Sequence, residues 1–368
     1  MYIHQLEYWP KFDWDEEKLI SLLSSTRHKQ GRLIGKMESL GFSLQSEAML
    51  ETMTLEALKS NEIEGEILDE EQVRSSLARR LGLDVAGIIS SDRNVEGVIE
   101  VMLDATQAYL SPLTKDRLFN WHTALFPTGK IGLRKIRVGK WRDSGEPMQV
   151  VSGAMGREKV HYEAPSDEKV SKEMAKFLEW FNSKVEMDPV LKAAIAHLWF
   201  LTIHPFEDGN GRLARTISDM QLTRADGIFQ RFYSMSAQIR IERKTYYEIL
   251  ESTQKGSLDI TAWLKWFLEC FDRAIDYSDV LLAKVLRKAK YWELLTTKNI
   301  NDRQRLIINK LLDNFEGKLT TTKYAKIAKC SSDTALRDIQ NLISQGLFVK
   351  EAGGSRSTSY GLVEMVKT

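Results

Sequence analysis

The sequence predicts a mainly α-helical protein with one β-hairpin near its middle and a winged helix-turn-helix at its C-terminus. Three observations carry this expectation. Apolar residues recur at three- and four-residue steps along most of the chain. The stretch from Gly132 to Pro165 interrupts that rhythm with glycines and short valine-containing pieces. The final 68 residues show three short helical periods and then strand-like segments on either side of Gly353-Gly354.

Taken in order, Leu19, Leu22 and Leu23, then Leu33, Ile34, Met37 and Leu40, mark the first helices, and residues 48–60 and 70–81 continue the pattern. Ser166 stands as a cap before a helix over Asp167 to Asn182, with Phe177, Leu178 and Phe181 on one face. Asp188-Pro189 opens another helix, which runs to about Ile203. The hairpin pairs a strand near Met148 to Val151 with one near Lys159 to Tyr162, across Ser152-Gly153-Ala154-Met155-Gly156. Asp259 to Leu295 reads as one long helix or two stacked ones. In the C-terminal module, Leu306 to Leu312, Ala325 to Ala328 and Asp333 to Ser344 mark three helices. Ala335, Leu336, Ile339, Leu342 and Ile343 are expected to face inward.

A chain of 368 residues is long for one core, and two or three domains are expected. The boundaries read as a helical extension at 1–90, a core at 91–275, a linking helix at 276–300 and the C-terminal module at 301–368. With 52 basic and 51 acidic residues the formal charge is +1, which gives no global attraction to nucleic acid or anionic membrane. The C-terminal module has eleven basic and seven acidic residues, a modest excess for a DNA reader. Arg337 and Lys329 could reach phosphates there, so DNA is a candidate partner. Winged helices also serve as packing or protein-interaction modules. Two distant cysteines, Cys270 and Cys330, offer neither a disulfide framework nor zinc spacing. The apolar run Val190 to Ile203 is broken by Lys192 and His197 and is too short to span a bilayer. The opening MYIHQLEYWPKFDWDEEK carries acids and aromatics where a signal peptide needs an apolar run. A cytoplasmic location without membrane partners is expected.

The chemistry concentrates in His204 to Arg215, HPFEDGNGRLAR. Pro205 ends the preceding helix, because a residue before proline leaves the α region. Gly209, Asn210 and Gly211 supply a tight turn whose amides can converge at the start of the next helix, where a phosphate is the natural occupant. Arg212 and Arg215 share one helix face, and guanidinium forks suit phosphate oxygens. Asp208 is a carboxylate placed to hold Mg²⁺ beside phosphates. His204 is the group in this stretch that can act as a base near neutral pH.

This segment resembles the defining motif of the Fic family, HPFx[D/E]GNGRxxR, at every fixed position. A chance match in a chain this long is well below about one in a million. Ser60-Asn61-Glu62-Ile63-Glu64-Gly65 is similar to the family's inhibitory motif, [S/T]xxxE[G/N]. The resemblance covers residues 45 to 275 and implies a Fic helical core with a hairpin flap. It implies a protein adenylyltransferase that moves AMP from ATP, with Mg²⁺, to a Ser, Thr or Tyr hydroxyl of a target protein or of the chain itself. His204 would be catalytic, and Glu64, on the segment that begins at Ser60, would block the site by pairing with Arg215. The flap residues Lys159, Val160 and His161 would pin the target as an added strand. Tyr246, Tyr247 and Gln254 resemble the segment that holds adenosine, although a family member has Asn where Gln254 stands. The opening YIHQLEYWPKFDWDEEKL resembles the extension of a bacterial subgroup that ends in a winged helix. A homodimer is a further candidate assembly.

His197 and His122 read as hydrogen-bonded core histidines, and Trp263, Trp266 and Phe267 as core. Two other functions stay open at this point. Glu64 could orient a water that removes AMP from a modified protein. Alternatively, the core could sense nucleotide for a DNA-binding C-terminal module. Some Fic enzymes transfer UMP or phosphocholine, and the residues do not fix the base.

Overall fold

The structure, a computed structural model, describes the chain except residues 84–87, 133, 146, 154–158, 313–314, 316, 352–357 and 364–368. It divides into two compact units, Met1–Asp84 with Ile88–Leu281, and Leu282–Thr368. In the first unit, a short 3-10 turn at Ile3–Gln5 precedes α1 (Glu16–Glu38), α2 (Phe42–Ile63), α3 (Glu70–Leu81), α4 (Arg93–Gln107) and α5 (Lys115–Leu125). Four short strands follow: β1 (Lys130–Ile131), β2 (Arg134–Lys135), β3 (Gln149–Ser152) and β4 (Lys159–Glu163). Helices then resume with α6 (Asp167–Asn182), α7 (Pro189–Ile203), α8 (Asn210–Asp226), α9 (Met235–Ile241), α10 (Arg243–Gln254) and α11 (Thr261–Leu295). The division between units falls within α11.

Side-chain caps set several helix starts. Asp15, Asp69, Asp92, Thr114 and Asp188 each accept backbone N–H groups from the first turn of α1, α3, α4, α5 and α7. Ser166 stands at the N-cap of α6 as expected, but its hydroxyl makes no capping bond. The α7 helix is buried on every side from Val190 to Ile203, the pattern of a central core helix. It packs along α8, and Trp263 on α11 donates its Nε1–H to Ala194 O at 2.8 Å. The stretch 261–295 is one helix.

The expected hairpin forms between β3 and β4. Val150 pairs with Tyr162 and Val151 with Val160, so His161 is the extra residue of a β-bulge. Together β3 and β4 make a two-stranded sheet.

The second unit holds α12 (Asp302–Leu312), β5 (Leu319–Thr320), α13 (Thr321–Ile327), α14 (Ser332–Ser344), β6 (Phe348–Lys350) and β7 (Ser359–Leu362). Its three strands are antiparallel in the order β5-β7-β6. Ile307, Ile308, Leu319, Tyr324, Ala335, Ile339, Leu342 and Phe348 build its core. Leu336 and Ile343 do not join them: both lie exposed on the flank of α14. A 3.6-residue period from Ala335 reaches Ile339 and Leu342, and the two residues expected alongside fall outside that stripe.

Candidate active site

The end of α7 and the start of α8 meet at a five-residue connection, His204 to Asp208, before the N-cap Gly209. His204 takes the left-handed conformation, φ 51 and ψ 59. Such a conformation costs a residue with a Cβ about 1–3 kcal/mol and needs support from its surroundings. Pro205 supplies part of the reason, since it bars the α region to its predecessor. The imidazole is half-buried, with Nδ1 3.2 Å from Leu201 O. Nδ1 therefore carries the proton, and Nε2 keeps its lone pair. Among the described residues nothing hydrogen-bonds to Nε2. Burial pulls the His204 pKa down to about 4, the Leu201 carbonyl opposes this, Arg142 adds to it and Glu64 opposes it. A neutral imidazole with an open Nε2 is the form a general base requires.

The turn itself is braced from inside. Asn210 folds its amide back over the loop, accepting the Phe206 N–H at 3.0 Å and donating to Phe206 O at 2.9 Å. Asp208 Oδ1 accepts the Gly209 N–H at 2.5 Å. Gly209 is left-handed, φ 77, and a Cβ there would meet the Phe126 ring at 2.8 Å, so glycine is required on both counts. His122 supports the loop from α5: its Nδ1 accepts the Gly139 N–H at 3.1 Å, which leaves Nε2–H to donate to Asp208 O at 3.2 Å. Its ring stacks on Phe206 with centroids 4.1 Å apart. Burial lowers the His122 pKa to about 4, so it stays neutral. The first intrahelical bond of α8 runs from Leu213 N–H to Gly209 O, and the N–H groups of Asn210, Gly211 and Arg212 lie ahead of it.

Arg212 and Arg215, the two arginines near the start of α8, are held by the C-terminal end of α2 and the turn after it. Arg215 Nη2 pairs with Glu64 Oε1 at 2.8 Å and donates to Ser60 O at 2.8 Å, while Nε donates to Ser60 Oγ at 2.9 Å. Arg212 Nη1 pairs with Glu66 Oε2 at 2.6 Å and donates to Asn61 Oδ1 at 3.3 Å, and its guanidinium lies 4.7 Å from the Phe126 ring centre. The two guanidinium groups are buried, yet Glu64 and Glu66 are 32% and 44% exposed. A Cβ at Gly211 would collide with Glu64 Oε1, so that carboxylate is packed on the backbone that opens α8. Arg212 Nε and Arg215 Nη1 are buried with no hydrogen-bond acceptor. Two unsatisfied cationic N–H groups beside unpaired helix amides suit the oxygens of a phosphate.

The remaining expected site residues lie on α10 and on β4 of the hairpin. Tyr246 is buried on α10, with its hydroxyl 2.9 Å from His197 Nε2. His197 Nδ1 meets Ser218 Oγ at 3.0 Å, as a core histidine should. Tyr247 is partly exposed, with Arg243 5.2 Å over its ring. Gln254 is buried and donates to Thr202 Oγ1 at 3.4 Å. On the hairpin, Lys159 and Val160 are exposed. His161 is anchored, with Nε2 2.5 Å from Ser152 Oγ and Nδ1 2.6 Å from Glu251 on α10. The expected turn at Ala154 to Gly156 lies outside the described residues.

Among the described residues no three His, Cys, Asp or Glu side chains converge as a metal cage. Asp208 alone fits a different arrangement. Its Oδ2 has no hydrogen-bond partner among the described residues. A Mg²⁺ ion commonly takes one or two carboxylates and completes its shell with substrate phosphates and water.

Three features escaped the sequence reading. The role of His122 is to hold Asp208 O, which its place on an apolar helix face does not reveal. Glu66 sits in an acidic run in which spacing could not single out a second arginine partner. Arg142 donates from Nε to His204 O at 2.8 Å, and one arginine among the several basic residues of 130–142 carries no such signal.

A buried helical core, a glycine turn and two arginines at a helix start form an arrangement whose donors suit phosphate oxygens. Comparison with known proteins is consistent with this. Residues 2–83 match a domain of unknown function, DUF4172, and residues 112–222 match the Fic/DOC family. The chain is 28% identical over 220 residues to the protein adenylyltransferase Fic of Aedes aegypti, covering 58% of this chain and 39% of that protein. It is 34% identical over 116 residues to the protein adenylyltransferase Fic of Nematostella vectensis, covering 30% of this chain and 25% of that protein. It therefore spans well under half the length of these relatives. A Fic family protein from Desulfovibrio desulfuricans G20 shares the fold with a TM-score of 0.54 at 20% identity, over 98% of this chain and 100% of that one. A Fic-domain protein from Bacteroides thetaiotaomicron aligns with a TM-score of 0.50 at 20% identity, over 70% of this chain and 97% of that one. The chain carries a Fic/DOC-family domain, and its His204-to-Arg215 motif lies inside the matched segment.

Proposed function

We propose that this chain is a protein adenylyltransferase that moves AMP from ATP to a side-chain hydroxyl of a target protein, and that Glu64 holds it in check. The observation that carries the reading is the neutral His204 with an open Nε2, one short turn from the unpaired amides and half-satisfied arginines of α8. ATP would lay its phosphates over the Gly209–Gly211 amides, with Arg212 and Arg215 on their oxygens. His204 Nε2 takes the hydroxyl proton, and the oxygen attacks the α-phosphorus in line. The bond from the α-phosphorus to the bridging oxygen breaks, and pyrophosphate leaves. Asp208 would hold Mg²⁺, which shields the phosphate charge. The exposed hairpin edge at Val151 and Val160 suits a target segment added as a strand.

Glu64 occupies the arginine that the terminal phosphate needs, and Glu66 does the same for Arg212. We read both as inhibitory. The test is labelling by ATP carrying the label at the α-phosphate, with γ-labelled ATP as control. Glu64→Gly should incorporate α-label into itself or a supplied protein and should incorporate no γ-label. Transfer of γ-label, or none of either, would reject the assignment.

One observation favours a second reading. Glu64 is packed against Gly211 and is a third exposed, so it could orient a water for AMP removal. Offering an AMP-modified protein to wild type and Glu64→Ala separates the two, because only the hydrolase loses AMP release in the variant.

A further inference from the structure

Every terminal carbonyl of α7 has a partner, and the decisive partners are Tyr162 on β4 and Arg142 in the segment that leads into β3. A helix leaves its last C=O groups without intrahelical donors. Here Phe200 O accepts the His204 N–H at 2.9 Å, and Leu201 O accepts from His204 Nδ1 at 3.2 Å. Thr202 O accepts the Tyr162 hydroxyl of β4 at 2.6 Å. Ile203 O and His204 O accept from Arg142 Nη2 at 3.4 Å and Nε at 2.8 Å. Pro205 O accepts the Arg142 backbone N–H at 2.9 Å.

Both donors are themselves fixed. Arg142 is 2% exposed, pairs with Asp167 in the first turn of α6 and donates to Pro165 O. Asp167 also accepts the N–H groups of Ser144 and Gly145, at 2.6 and 3.0 Å. Tyr162 is 1% exposed. Its hydroxyl has one proton, given to Thr202 O, so at 3.0 Å it accepts from His4 Nδ1–H of the N-terminal segment.

We propose that Arg142 and Tyr162 are positioning residues for His204. By holding the carbonyls of residues 202–205 they keep residue 204 left-handed, with Nδ1 on Leu201 and Nε2 left for a substrate proton. The proposal rests on His204 being the base of the transfer. The phosphate turn is held by other groups, His122 on Asp208 and Asn210 on Phe206. Loss of the clamp should therefore misplace the imidazole and spare nucleotide binding. A displacement of about 1 Å at a reacting group can cost on the order of 10²-fold in rate.

The test uses full-length Arg142→Lys and Tyr162→Phe, each in the Glu64→Gly background. NMR of isotope-labelled histidine, assigned with His204→Ala, reports the tautomer of His204 without any reaction. Alongside it, turnover and ATP dissociation constants are measured. The parent should show a single Nδ1–H tautomer. Both variants should show mixed or broadened ring signals and a fall in turnover of about tenfold or more, with ATP affinity within about twofold. An unchanged ring signal in both variants overturns the proposal. So does a loss of ATP affinity that matches the loss of turnover. If the parent transfers no label, the assigned reaction fails and the ring signal alone decides the positioning role. If Arg142→Lys does not fold, the isosteric Tyr162→Phe decides.

Discussion

At His204 three local constraints converge: the proline that follows, the Nδ1 bond to Leu201, and burial. Proline and the Leu201 bond set the ring's place and tautomer, while burial, with Arg142 adding to it and the Leu201 carbonyl opposing, lowers the pKa from its ordinary 6.5 to about 4. The acid limb of the rate profile that belongs to His204 should therefore fall near 4. Glu64 raises the His204 pKa, so removing it in Glu64→Gly cannot move that limb upward. A pH profile of α-label transfer by this variant checks the point, and a limb near 6.5 would contradict it. Gly211 makes the second residue-scale argument. A Cβ there collides with Glu64, while its next close neighbour is Arg215 Nη1 at 3.3 Å. Gly211→Ala should thus lower the melting temperature more in wild type than in Glu64→Gly. A double-mutant cycle measures this coupling, and strictly additive effects would show that Glu64 does not press on the turn.

The element that controls the site is α2. Its end and the turn after it place Ser60, Asn61, Glu64 and Glu66 on Arg212 and Arg215 of α8, and Arg243 donates to Ile63 O at 2.9 Å. Removing Glu64 leaves a buried guanidinium short of an acceptor, at a cost of about 1–3 kcal/mol. ATP should repay that deficit, since a ligand at a hundred times its dissociation constant stabilises by about 2.7 kcal/mol. Thermal melts should show a larger ATP shift for Glu64→Gly than for wild type, and the largest for Glu64→Gly with Glu66→Gln. Equal shifts in all three would remove Glu66 from the inhibitory contact. Further along, α2 buries Glu56 against the start of α9, where it accepts the Ser236 N–H at 3.0 Å and the Ser234 hydroxyl at 2.7 Å. Burial, and then the Glu56 charge, push the neighbouring Asp219 carboxyl well above the usual carboxylate range, while Arg231 opposes them. A raised acid favours the fold while protonated. Its contribution is complete below the ordinary value near 3.8 and is lost as pH rises through the folded-state value. Asp219→Asn mimics the protonated form. Its melting temperature should fall less than that of wild type as the pH is raised from 5 to 8, and a steeper fall would contradict the buried acid pair.

Across the whole chain, what could be read in advance was what depends on neighbours in sequence. The bounds of α6 and α7 and the hairpin follow from caps and periodicity, whereas periodicity leaves 259–295 open between one helix and two, and the pairing of Glu64 with Arg215 is what the resemblance to the family's motifs implies. Features that depend on distant packing were not legible. Nothing near Arg142 announces the carbonyls it holds, and nothing in the acidic run assigns Glu66 to Arg212. Leu336 and Ile343 are apolar at helical spacing yet lie exposed, because each stands one residue, about 100° of helix phase, off the buried stripe of Ala335, Ile339 and Leu342. All residues invoked for the chemistry lie in the first unit. A chain ending at residue 300 in the Glu64→Gly background should therefore keep its labelling activity, and loss of activity with an intact melt would bring the second unit into the reaction. The most direct test of the account compares α-label transfer by Glu64→Gly with that by Glu64→Gly carrying His204→Ala. The first should label and the second should not, although both should bind ATP. Equal labelling by the two would show that this imidazole is not the base.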